Sequence, residues 1–74
     1  MIQRKTFEIG FYNKEVRKLV EFHEHHLDLS DDWADIHWFE IKAHDEEEAR
    51  DIIEQRYPPY RGYVITEVLA QEWE

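Results

Sequence analysis

Phe7, Ile9 and Phe11 alternate with Thr6, Glu8 and Gly10. That period of two puts three apolar side chains on one face of a first strand. The stretch 36–43 also has strand composition, with Phe39, Ile41 and Ala43 on one face and Ile36 and Trp38 on the other. Tyr63 to Ala70, following the turn residue Gly62, has the β-branched content of a last strand. Between them the spacing changes to that of a helix: Ala49, Ile52, Ile53 and Tyr57 form an apolar stripe, and Pro58-Pro59 stops it. Asp45 stands as N-cap with Glu48 three residues on, and the carboxylates of Asp45 to Glu48 suit a helix N-terminus. Glu46 and Arg50, four apart, add a favourable pair.

Residues 14–27 fit two patterns. With Asn13-Lys14 as a two-residue turn, a hairpin places Val16 opposite Phe11 and Val20 opposite Phe7, with Phe22 following on the same face and Lys18 as the misfit. With Asn13 as an N-cap, the same residues form a helix: Val16, Leu19, Val20, His23 and Leu27 on one side, Arg17, Glu21 and Glu24 on the other. The polar segment from Leu27 to Ala34, carrying Asp28, Ser30, Asp31 and Asp32, is expected to be a surface loop. The expected fold is α+β: a three- to four-stranded antiparallel sheet with one helix, about 45–57, packed on one face, in the order β-β-β-α-β. The helical alternative gives β-α-β-α-β with an additional helix at about 14–27. With the single helix on one face, the other face of the sheet would lack a cover.

At 74 residues the chain is one domain spanning 1–74, and a chain this short buries only about 60% of its unfolded surface. With 42% apolar residues and only four glycines and prolines together, it should nonetheless fold. Without cysteine there is no disulfide, thiolate catalysis or sulfur-ligated zinc. The opening Met-Ile-Gln-Arg-Lys-Thr lacks the apolar stretch of a signal peptide, and no run is long enough to span a membrane, so a cytoplasmic location is expected.

The net charge of -9 is unevenly spread: residues 1–18 hold five basic and two acidic groups, residues 19–74 four basic and sixteen acidic. Such a balance opposes direct binding to nucleic acid and attracts basic surfaces. Asp45, Glu46, Glu47, Asp51 and Glu54 would lay carboxylates along the helix, able to imitate phosphate spacing, and Trp38 would add an aromatic anchor. Trp33, Trp38, Tyr57, Tyr60, Tyr63 and Trp73 exceed what a one-faced core needs, so a second copy could close the uncovered face as a homodimer.

His23-Glu24-His25-His26 supplies the residue types of a zinc, copper or nickel site, with His23, His25 and His26 as candidate ligands, though the spacing does not match His-Glu-x-x-His. Asp28-x-Ser30-x-Asp32 is not a calcium loop, since Phe39 stands where its bidentate Glu belongs. No nucleophile–base pair and no glycine-rich phosphate loop occurs, and no cofactor is implied.

The unit over 36–70, Phe39-Glu40-Ile41-Lys42-Ala43 leading into Asp45-Glu46-Glu47-Glu48-Ala49-Arg50, resembles an arrangement seen in many small bacteriophage-encoded proteins. The resemblance covers about half the chain and carries over no functional residue. It implies a strand-helix-strand unit and a role of the kind such proteins include, inhibition of host defence. The resulting expectation is a non-enzymatic acidic binding protein acting on a basic protein, as a phage-encoded inhibitor or nucleic-acid mimic. The alternatives are a histidine-based metal-binding module and a structural subunit of an assembly.

Overall fold

The alternating run at the start of the chain forms the centre of the sheet. A computed structural model describes residues 4–71, in the order β1 (Lys5–Asn13), α1 (Lys14–Glu21), β2 (His37–Ala43), α2 (Glu46–Arg56) and β3 (Tyr63–Gln71). The sheet order is β2-β1-β3, and β1 pairs antiparallel with both neighbours. β2 and β3 therefore run parallel to each other on either side of β1, joined by α2.

This α+β arrangement is the β-α-β-α-β order, and the leading expectation of a β-β-β-α-β order, with a hairpin at Asn13-Lys14, is corrected. The sheet has three strands and the described residues form two helices. The reason is competition for the edge of β1. β3 occupies that edge from Thr6↔Gln71 to Asn13↔Tyr63, and β2 takes the other, so no position remains for a strand at 14–22. Asn13 meanwhile satisfies the start of a helix: its Oδ1 accepts from the backbone N–H of Glu15 at 3.0 Å and of Val16 at 3.1 Å. Lys18, the misfit of the hairpin, is simply exposed on α1.

α1 ends at Glu21, well short of Leu27. The amide of His23 donates to Val20 O at 3.0 Å and that of Glu24 to Leu19 O at 2.8 Å, while His23 takes a left-handed φ of 59°. This is a Schellman stop with histidine in the place usually held by glycine. The expected loop over 27–34 contains one turn of 3-10 helix, Asp31–Ala34, capped by Ser30, and it delivers Trp33 to the core.

The core lies on one face of the sheet. Phe7, Ile9 and Phe11 are buried beneath α2, whose Ala49 and Ile53 are buried and whose Ile52, with Tyr57 at its C-terminal end, packs at the margin. The stripe expected for this helix is the one that makes contact. Phe11 is the hub of an aromatic cluster, with ring centroids at 5.7 Å to Trp33, 5.1 Å to Phe39, 5.0 Å to Tyr57 and 6.2 Å to Tyr63. Such pairs add about 0.5–1.5 kcal/mol each beyond their burial.

Burial, followed by the nearby Tyr57 phenol, pushes the Tyr63 hydroxyl above the ordinary tyrosine value. Of the aromatics in excess of what a one-faced core needs, Trp33, Tyr57 and Tyr63 are partly buried against the core. Tyr60 is exposed, and Trp73 lies outside the described residues.

A bulge sets the faces of β3. Gly10 faces Glu67 but Phe11 faces Ile65, leaving Thr66 as the extra residue, its hydroxyl donating to Gly10 O at 3.0 Å. The shift turns both Val68 and Ile65 toward the core, which strict alternation would not allow.

Asn13 joins these parts. It is fully buried, and besides capping α1 its Nδ2 donates to Arg61 O at 3.0 Å, just before β3 begins. The neighbouring Lys14 amide donates to Gly62 O at 2.8 Å, and Gly62 has a φ of 97° with no room for a Cβ, which would lie 2.9 Å from Asn13 Oδ1. Asn13→Ala removes a cap and leaves buried polar groups unpaired, so urea unfolding should show a loss of about 2–4 kcal/mol. Asn13→Asp keeps the acceptor but not the donor and should fall between. A loss below about 1 kcal/mol for Asn13→Ala would show that the cap does not hold these elements together.

Candidate functional site

The acidic residues marked out by the sequence divide into those used locally and those left unengaged. Asp45 Oδ1 accepts from the Glu48 amide at 2.8 Å, which makes it the cap of α2. Glu48 reaches back to accept from the His44 amide and to pair with His44 Nδ1, both at 3.0 Å, closing a reciprocal box one residue longer than usual. These bonds to His44 hold the Glu48 carboxyl below the usual glutamate range. Glu46 pairs with Arg50 at 3.4 Å. Glu47, Asp51 and Glu54 are exposed and, among the described residues, have no ion pair. Their spacing places them along the side of α2 that faces away from the sheet.

Trp38 does not join them. It is the register partner of Gly10, so it projects from the face opposite Phe39 and Ile9, while α2 covers the Phe39 side. The proposed partner-binding residues thus lie on two opposite surfaces. The open sheet face carries a second set that the sequence did not single out: Glu8, Glu40 and Glu67, with Leu69 beside them. Glu8 and Glu40 stand directly opposite each other in the β1–β2 register, Glu67 opposite Gly10, and Leu69 opposite Glu8. Their strand periodicity could have placed Glu8 and Glu40 with Trp38. The bulge at Thr66 hid the side on which Glu67 and Leu69 fall.

The three candidate metal ligands are not gathered around one point. His25 Nδ1 pairs with Asp31 at 2.8 Å, and the hydrogen bond, then the charge, of that carboxylate raises the imidazole above its ordinary 6.5. His26 Nδ1 accepts from the amides of Asp28 at 3.0 Å and Leu29 at 3.1 Å, which requires the neutral ring with its proton on Nε2. His23 supplies the left-handed stop of α1. Among the described residues no group of three or more His, Cys, Asp or Glu side chains is placed to hold a metal ion. The histidines instead act as local struts, and His37 belongs with them: its Nε2 donates to Asp32 O at 2.9 Å and its ring stacks on Trp33.

Two open depressions border this region. One of about 340 Å³ lies among Glu15, His26, Tyr60 and Arg61, and one of about 280 Å³ among His23, Glu24, His25 and Asp31. No helix among the described residues is long and apolar enough to cross a membrane. No family model matches the chain, and neither the curated proteins nor the solved structures contain a match to it.

Two outcomes follow for the histidines. His23→Gly relieves a left-handed backbone that costs an ordinary residue about 1–2 kcal/mol, so the variant should gain roughly 1 kcal/mol, read as a higher urea midpoint. An unchanged or lower midpoint would contradict the Schellman stop. For His25, a folded-state value raised above the unfolded one means stabilisation that is complete below pH 6.5 and is lost as pH rises through the folded value. NMR titration should place His25 above 6.5, and Asp31→Asn should lower it. A titration unaffected by Asp31→Asn would remove the pair from the account.

Proposed function

We propose that this chain is a non-enzymatic acidic binding protein that docks onto a basic protein and blocks a surface that would otherwise meet phosphate. The observation that carries this reading is the state of its carboxylates. Within a net charge of -9, Glu47, Asp51 and Glu54 on α2 and Glu8, Glu40 and Glu67 on the open sheet face have no ion pair among the described residues. Uncompensated charge of one sign attracts the opposite sign at a distance and speeds encounter. The resemblance of the 36–70 unit to bacteriophage-encoded proteins supports the finer reading, an inhibitor of a host nucleic-acid-binding protein.

Binding to purified basic nucleic-acid-binding proteins, measured by calorimetry, should be detectable at low salt and weaken about tenfold or more as ionic strength shortens the screening length. A neutral protein of similar size should not bind. Binding that is absent at low salt, or that is indifferent to salt, would end this reading.

A further inference from the structure

The uncovered face of the sheet has an anchor held in place before any partner arrives. Trp38 rests its six-membered ring on Gly10: a Cβ built there would lie 2.9 Å from Cη2 and 3.0 Å from both Cζ2 and Cζ3. Glycine lets the indole settle against the backbone on one side, while the residue remains 48% exposed. Leu69, from the strand on the far side of β1, is 42% exposed on the same face. Large apolar side chains left exposed on one face mark interaction surfaces.

The surroundings state the sign of what would cover them. Glu8 and Glu40 are directly opposed across β1 and β2, an arrangement that is repulsive in a sheet. Glu8 accepts from Gln71 Nε2 at 2.7 Å, a neutral partner that leaves its charge in place. Glu67 sits across from Gly10 on the other side, and Lys42, opposite Thr6, is the one basic residue that the three strands direct to this face. At one end of the face a guanidinium already stacks on a ring, Arg17 lying 3.6 Å above the centroid of Tyr12.

We propose that this open sheet face, with Trp38 and Leu69 as anchors and Glu8, Glu40 and Glu67 as rim, is the docking surface for an arginine-bearing segment of a basic protein. The proposal rests on the acidic-binder reading above and names its surface. One guanidinium stacks on the free side of the indole, as Arg17 does on Tyr12, and another bridges Glu8 and Glu40, converting their repulsion into a paired contact. A second copy of this chain fits poorly, because a two-fold interface would set the same three carboxylates against themselves.

A short synthetic peptide of alternating arginine and leucine is the probe, titrated at low salt while amide and indole N–H signals are followed by NMR. The Trp38 indole, Gly10, Glu40 and Leu69 should shift. Trp38→Ala should weaken the peptide about 30-fold, the loss expected of an anchor residue. Because Trp38→Ala could perturb the sheet, Gly10→Ala provides a second variant: its Cβ displaces the indole tip and should weaken binding while circular dichroism stays native.

Shifts confined to Glu47, Asp51 and Glu54, with Trp38→Ala silent, would overturn this surface and leave the acidic-binder reading standing. No binding by the peptide or by any basic protein would sink both. Sedimentation showing a dimer that Trp38→Ala abolishes would assign the face to a second copy and overturn the proposal.

Discussion

The buried carboxamide of Asn13 is the constraint on which the remaining structure depends. One side chain ends the central strand, starts α1 through two backbone amides and holds Arg61 O at the entry to β3. These contacts link positions 48 residues apart in sequence, so the edge strand cannot dock in register without also fixing the turn that launches the helix. A polar group sealed from water tolerates few alternatives, because each unmade bond there costs more than one made in solvent. The polar constraint at Asn13 therefore lies at the same end of β1 as the ring cluster around Phe11, two residues away.

What could be read from the sequence was what is decided locally. Helix α2 announced itself through Asp45, Glu48 and the stripe at Ala49, Ile52, Ile53 and Tyr57, all within one segment, and its observed limits differ from the expected ones by one residue at each end. The faces of β1 and β2 followed from period two. The segment after Asn13 could not be settled that way, since Val16 and Val20 satisfy a strand and a helix equally. The arbiter was β3, fifty residues further on, taking the position that a hairpin strand would have used.

The candidate site was partly legible for the same reason. Carboxylates along α2 can be counted from the chain, and the capping role of Asp45 and the Glu46–Arg50 pair could be read there too, whereas the reach of Glu48 back to His44 emerged only from the structure. The opposition of Glu8 and Glu40 is a matter of register between strands about thirty residues apart. Glu67 and Leu69 reach the open face because a bulge at Thr66 reverses the alternation, and the run Tyr63-Val64-Ile65-Thr66-Glu67-Val68 carries no mark of it. The roles of the histidines were hidden for a related reason: His23, His25 and His26 are close in sequence, yet each makes a separate local contact.

A single sheet with one helix over it must leave a face open, and the residues there decide whether that face is a hazard or a tool. An apolar face would aggregate; a fully charged one would hold nothing firmly. Here Gly10 lies against one side of the Trp38 ring, and Glu8, Glu40 and Glu67 share the open face with its exposed side. Fixing an aromatic anchor in advance lowers the entropy lost when something binds it. The loss of a side chain at Gly10 thus positions the largest exposed ring of the sheet, and the absence of a covering element turns into a surface with a defined shape and sign.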